Sequence, residues 1–258
     1  NGEVVAYSGR IYDRKDNSKY INTRETPIFK KGELLYNYHR AKEPARQKNQ
    51  IIVVEGFMAA IRTYINGLPN VVATMGTAVT NTQAQLIKRL AKDVIICFDG
   101  DEAGAKGTLS FIDELISLGV NPKVVRLEDG LDPDDYIRQK GKDAFISKIN
   151  HPQSSLEFKL SYLKKDKNLE NSVDKASYIK EVIAEINKID DDILREITIS
   201  KVADEANIDK DFLKSHLTEK PKKEIETKVT QNIIKNKYEK AEAALVYHML
   251  KSSEVIKM

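Results

Sequence analysis

The chain has 258 residues, 41% of them hydrophobic and 31% charged, with a formal net charge of +3. That length and content support one large domain or two to three small ones around a real core, and the net charge alone is too small to imply nucleic acid. A single cysteine rules out a disulfide framework or a zinc knuckle, and no secretory signal or membrane span is present, so a cytoplasmic protein with no membrane partner is expected.

The first fifty residues read as short β segments and turns: Val4-Val5-Ala6-Tyr7, then Arg10-Ile11-Tyr12, a polar turn over Asp13 to Ser18, Lys19-Tyr20-Ile21-Asn22, and Thr26-Pro27-Ile28-Phe29 with the run to Tyr38. They hold eleven Lys and Arg against six Asp and Glu, so the rest of the chain is slightly acidic. A basic head beside an acidic pocket can hold a polyanion next to bound metal ions, although counts alone fit an ordinary mixed surface.

From residue 51 strands and helices alternate. Strand 51–55 leads to a helix near 57–66, and strand 71–74 to a helix over 81–91 that opens on a capping box, Thr80 with Gln83. Strand 94–98 leads to a helix over 102–118, and strand 123–127 runs into a loop at Asp132-Pro133-Asp134. Four strands separated by helices predict an α/β fold, a central parallel sheet flanked by helices with right-handed crossovers. A small α+β segment precedes it. After about 143 no strand signal survives; segments 154–165, 172–188, 190–206 and 209–217 carry helical spacing and predict an α-helical bundle. Residues 219–236 read as a linker, and 238–251 as the first helix of something further, so the chain reads as a portion of a longer protein.

The chemistry sits at the strand ends. Val94-Ile95-Ile96-Cys97-Phe98 runs into Asp99-Gly100-Asp101, and Ile51-Ile52-Val53-Val54 runs into Glu55-Gly56. In an open parallel sheet the carboxyl edge of the strands is where ligands bind. One Asp-Gly is a common turn dipeptide, but repetition at two apolar strands points to a hard-cation site for Mg²⁺ or Mn²⁺. Asp132 and Asp134 flank a rigid proline after the fourth strand and bring the candidate carboxylates to five; like charges so placed need a cation. Asp134 or Asp135 would also serve as a helix N-cap before Tyr136-Ile137, and Asp135 capping while Asp132 and Asp134 face the pocket satisfies both readings. Cys97 reads as an inert core thiol, and His39, His151, His216 and His248 lack metal-ligand spacing. No P-loop, dinucleotide fingerprint, nucleophile elbow or Ser-His-Asp pattern is present, leaving metal-assisted phosphoryl chemistry as the best enzymatic option.

Four segments carry a resemblance: Glu55-Gly56-Phe57-Met58, Ala73-Thr74-Met75-Gly76-Thr77, Phe98-Asp99-Gly100-Asp101-Glu102-Ala103-Gly104 and Asp132-Pro133-Asp134-Asp135-Tyr136-Ile137. They resemble the Toprim motifs of bacterial DnaG-type primases. The head, with Ser8-Gly9-Arg10, Lys19-Tyr20-Ile21-Asn22 and Glu25-Thr26-Pro27-Ile28-Phe29-Lys30-Lys31-Gly32, is similar to the segment before Toprim in that family.

The resemblance implies a nucleotidyltransferase core that makes short RNA primers on a single-stranded DNA template from ribonucleoside triphosphates. It implies Glu55, Asp99 and Asp101 as catalytic metal-binding residues joined by Asp132 and Asp134, with two or more Mg²⁺ or Mn²⁺. Arg10, Lys19, Asn22 and Lys31 match the family's basic ridge, and Gly76 and Thr77 its nucleotide or template contacts. The implied division is 1–50 for the basic N-terminal portion, 51–142 for the Toprim domain, 143–218 for the helical bundle, and 219–258 for the linker and first helix of a helicase-binding domain. A replicative helicase and single-strand binding protein are implied partners of the full-length protein, and a monomer is expected.

Two departures stand out. The family motif continues Glu-Gly-Phe/Tyr-Met-Asp, and here that last position is Ala59, so Ala59→Asp is expected to increase metal-dependent primer synthesis. One cysteine cannot supply the family's zinc-binding domain, so no zinc, poor template binding and no normal helicase binding are expected of this chain. Competing readings are a Toprim-type nuclease or topoisomerase-like cleavage protein, and a catalytically weakened DNA-binding or scaffold relative built on the helix-turn-helix rhythm of 199–213. That segment is acidic where a recognition helix is usually basic.

Overall fold

In the computed structural model, residues 3–10, 20–76, 79–128, 130–218, 244, 246 and 247 are described. Lys19, Thr77 and nearly all of the expected linker and last helix lie outside them. Strands β1 (Ser8–Arg10) and β2 (Tyr20–Asn22) pair antiparallel as a separate two-stranded sheet, Gly9 opposite Ile21. The chain then runs through a short 3-10 turn, Lys31–Glu33, into α1 (Tyr38–Lys48).

Helix α1 is absent from the sequence expectation, for two physical reasons. Its buried face is only Ala41 and Ala45, and Pro44 stands inside it, removing an N–H that a helix normally uses. Both alanines are completely buried against the sheet, and that packing holds a helix its local sequence would not.

The main sheet contains β3 (Gln50–Val54), β4 (Val71–Ala73), β5 (Asp93–Ile96), β6 (Lys123–Val124) and β7 (Gln153–Ser154), in the order β4-β3-β5-β6-β7. The first four are mutually parallel and β7 runs antiparallel to β6. The crossovers are α2 (Phe57–Ile65), α3 (Asn81–Lys88) and α4 (Glu102–Ser117). Helices α5 (Pro133–Lys140) and α6 (Lys142–Asn150) follow β6. Strand alternation decides which helix each side chain meets. Ile51, Val53, Val94 and Ile96 pack with Ala41, Ala45, Ile87, Phe111 and Leu115. Ile52, Val54, Ile95 and Cys97 pack with Ala59, Ala60, Tyr136, Ile137 and Phe145 on the opposite face. Burial on both faces is why these strands read as continuous apolar runs.

Two expectations are corrected. A strand does occur after 143: β7 is two polar residues, too short for any alternation, and it is placed by pairing with the edge of β6. Strand β6 is shorter than 123–127, although Val125 N–H still donates to Ile96 O at 2.8 Å. The capping box at Thr80 and Gln83 forms as expected.

Helices α7 (Ser155–Lys164), α8 (Ser172–Ile186), α9 (Asp192–Ala206) and α10 (Lys210–Ser215) form the bundle, with Tyr178, Val182, Ile186, Val202 and Leu213 at its centre. Lys210 and Lys214, the cations of the helix-turn-helix rhythm, both pair with Glu196. Among the described residues, no helix is long and apolar enough to cross a membrane.

Candidate metal centre

Strands β3 and β5 are neighbours and parallel, so Glu55 and Asp99 leave the sheet side by side at its carboxyl edge. Cys97 N–H still donates to Val53 O at 2.8 Å, which extends the pairing almost to Asp99. The Asp99 N–H then donates to Glu55 Oε1 at 3.1 Å. Asp101 is the N-cap of α4 and accepts from Gly104 N–H at 2.7 Å. A side chain at Gly104 would collide with the Asp99 carbonyl and with Glu55 Oε1, so only glycine lets α4 start this close to the carboxylates. Burial pushes the Glu55 carboxyl above its ordinary range; the Asp99 amide pulls it down in part, and the charge of Asp101 adds to the rise.

The second acidic group follows β6. Gly100 N–H donates to Leu131 O at 3.0 Å, which ties the Asp99–Asp101 loop to the residue before Asp132. Asp132, rather than Asp134 or Asp135, is the N-cap of α5, accepting from Asp135 N–H at 2.7 Å. Proline sets this: Pro133 is pre-shaped for the first helical position and forces the residue before it into extended backbone, which is N-cap geometry. The expected capping role of Asp135 is therefore corrected. Asp134 Oδ1 accepts from Arg62 Nε on α2 at 2.5 Å.

Asp132, Asp134 and Asp135 each bring one carboxylate oxygen within 4.8 Å of the other two. Among the described residues no other three acidic, histidine or cysteine side chains converge so tightly. The five expected carboxylates thus stand as two adjoining groups, Glu55 with Asp99 and Asp101, and Asp132 with Asp134. The all-oxygen donor set of Asp132, Asp134 and Asp135 suits a hard divalent cation such as Mg²⁺ or Mn²⁺, whereas Glu55, Asp99 and Asp101 do not converge as tightly. Cys97 is buried behind it, its thiol pushed far up by burial, and offers no soft ligand.

Lys31 is carried to this edge by its turn. Buried Gln83 donates from Nε2 to Lys31 O at 3.1 Å and to Leu34 O at 2.8 Å, and Thr80 Oγ1 donates to Gly32 O. Tyr36 pairs with Ala73 on edge strand β4. Gly76 has φ +78° and follows Met75, also left-handed at φ 67°, whose N–H donates to Glu55 O at 2.8 Å. A non-glycine residue held there is a local strain of the kind found at functional loops. Asn22 is exposed on β2, accepting from Ser8 Oγ at 2.5 Å, and is not in contact with the carboxylates. Arg10 ends β1.

Sequence reasoning missed Arg62, the hold of Gln83 on the Lys31 turn, and a clasp between α4 and α7. In that clasp Glu102 accepts from Lys165 Nζ at 2.5 Å and Tyr162 Oη at 2.8 Å, which holds its carboxyl down to about 2. A narrow cleft along Asp99, Gly100 and Asp101 is lined by Arg126, Tyr162 and Lys165, and a wider one of about 520 Å³ adjoins it at Gly100, Arg126 and Lys148. Lone cations on strands and helices give no sequence signal for these positions.

Three family models match in order along the chain: the DNA primase catalytic core N-terminal domain over residues 1–42, Toprim-like over 52–137, and the DnaB-helicase binding domain of primase over 156–211. DNA primase from Listeria innocua is 39% identical over 218 residues, covering 84% of this chain and 35% of that protein. The chain therefore spans about a third of that relative's length. The crystal structure of the Aquifex aeolicus primase zinc-binding and RNA polymerase domains is 32% identical with a TM-score of 0.63, covering 84% of this chain and 52% of that one. The RNA polymerase domain of Mycobacterium tuberculosis DnaG, solved with a double-stranded DNA oligomer carrying a 6-nucleotide overhang, is 26% identical with a TM-score of 0.68, covering 80% of this chain and 67% of that one. With its head, its Toprim-type sheet and its helical bundle each matched in sequence and order, the chain belongs to the bacterial DnaG-type primase family.

Proposed function

We propose that the chain carries the nucleotidyl-transfer site of a DNA primase, joining ribonucleoside triphosphates into short RNA primers on single-stranded DNA during replication. The observation that supports this most is the gathering of Glu55, Asp99 and Asp101 beside the Asp132–Asp135 turn at one sheet edge, with the Lys31 turn held by Gln83 at the start of α3. Bound there, two or more divalent ions would supply activation of a primer hydroxyl and neutralisation of triphosphate charge. Glu55 and Asp99 are the residues proposed to hold one such ion and Asp101 to flank it; Asp132 and Asp134 would hold a second.

The chain's own part is positional. Backbone amides fix the strand-end oxygens, so the site is set before a ligand arrives. Lys31, with Arg10 and Lys19 of the same head and Asn22, is proposed to hold template and incoming nucleotide, a role for which basic and polar side chains are suited. That head is what a template-cutting relative would not need. A replicative helicase is proposed as partner of the full-length protein, supported by the family match over 156–211; single-strand binding protein as its second partner rests on the family resemblance. The test supplies labelled ribonucleotides, Mn²⁺ and a single-stranded template. Short RNA oligomers that disappear with Glu55→Gln support the reading; template cuts without oligomers contradict it.

A further inference from the structure

One cation is already seated in the acidic edge. Arg62 Nε lies 2.5 Å from Asp134 Oδ1, and Asp134 is one of the three residues whose oxygens converge within 4.8 Å. The side chains are 34% and 15% exposed, so this pair is less screened than an ordinary surface ion pair. By contrast Arg138 and Asp135 stand 3.5 Å apart with side chains 61% and 49% exposed, a loose surface pair on one helix. The Arg62 contact also joins two elements: α2, which begins just after Glu55, and α5, which begins just after Asp132. A guanidinium keeps its charge at every accessible pH, so the seat is permanently filled unless the side chain swings away.

We propose that Arg62 is a built-in counter-cation of the acidic turn: it competes with a divalent cation for Asp134 and so sets how weakly that turn holds metal. The inference rests on the divalent-cation reading above. Its physical basis is distance. A metal bound to either Asp134 oxygen sits about 2.1–2.4 Å from it, which places it within about 7 Å of a guanidinium nitrogen left in its present position. A dication and a unit cation that close repel appreciably even in a water-like medium. The turn is thus a weak metal site with a resident charge.

The test is Mn²⁺ binding by the whole chain, read from the electron paramagnetic resonance signal of free Mn²⁺, without nucleotide or activity. Arg62→Gln removes the charge and keeps a hydrogen-bond donor; it should tighten the turn's Mn²⁺ dissociation constant by about fivefold or more. Arg62→Lys keeps the charge and should stay within about twofold of the parent. The gain should vanish when Asp134→Asn is added to Arg62→Gln. Arg62→Met, which keeps the apolar stem, repeats the measurement if the glutamine variant melts early. Unchanged or weaker Mn²⁺ binding in both neutral variants overturns the inference while leaving the metal reading intact. No Mn²⁺ binding by any variant or the parent overturns the metal reading, and this inference with it.

Discussion

At the ends of β3 and β5 the carboxylates are held by backbone: Asp99 N–H on Glu55 and Gly104 N–H on Asp101. At the head of α5 one carboxylate is held by backbone and the next by a side chain, Asp135 N–H on Asp132 and Arg62 on Asp134. Backbone donors come with the fold and leave the charge of the site intact. A side-chain cation cancels charge and can be removed by one substitution. In the first group burial pushes the Glu55 carboxyl up, the Asp99 amide offsets this in part and the charge of Asp101 adds to it, so the anion there is held at a cost. The second is built to be partly neutral at rest.

The difference can be broken first at the strand ends. Glu55→Gln and Asp99→Asn should each lower primer synthesis by at least about a hundredfold with little change in melting temperature, since both substitutions keep shape and a glutamine oxygen can still accept the Asp99 N–H; RNA oligomer yield and thermal melts check this together. Next comes Gly104→Ala. Its new methyl falls on Asp99 O and Glu55 Oε1, and separating them should cost about 1–3 kcal/mol with a loss of synthesis of about tenfold or more. Gly107→Ala on the same helix meets Phe98 at 3.5 Å, an ordinary contact, and should leave both unchanged or raise stability slightly.

Ala59→Asp sharpens the comparison from the other side. Ala59 is 4% exposed in the apolar cluster with Val54, Tyr136 and Ile137. A carboxylate there should cost about 1–3 kcal/mol without metal, recover on adding Mn²⁺, and increase metal-dependent synthesis; melts with and without Mn²⁺ and an activity comparison test it, and no gain in either means Ala59 is neutral.

The smallest expected effect lies at the clasp between α4 and α7. Glu102 is held down to about 2, below its unfolded range near 4.5, so its contribution to stability is present above about pH 4.5 and is lost as pH falls toward 2. Glu102→Gln should flatten the stability profile over that window and leave neutral-pH synthesis unaffected. Urea melts at pH 3 and pH 6 read it out; parallel curves for parent and variant would contradict the clasp.

What sequence could reach follows the same division between local and distant causes. The runs 51–54 and 94–98 announce themselves because burial on both faces leaves unbroken apolar runs, and Thr80 with Gln83 because a capping box is a local pattern. Glu55, Asp99 and Asp101 were legible for the same reason, each standing at the end of such a run. Helix α1 was not, since two alanines around Pro44 carry no periodic signal and its stability comes from the sheet. Strand β7 is two polar residues whose pairing is decided by β6. The cap at Asp132 is open to sequence reasoning through Pro133, although Asp134 or Asp135, two or three residues later, is what the acidic run suggests first. Arg62 had no local signature at all: its partner lies 72 positions away, and only the packing of α2 on α5 brings them together.

The central claim is that the strand-end group holds a divalent ion. Crystals soaked in Mn²⁺ with a nucleoside triphosphate, recorded for anomalous scattering, test it most directly. The account predicts anomalous density bridging Glu55 and Asp99; density confined to other residues, with none between those two carboxylates, would contradict it.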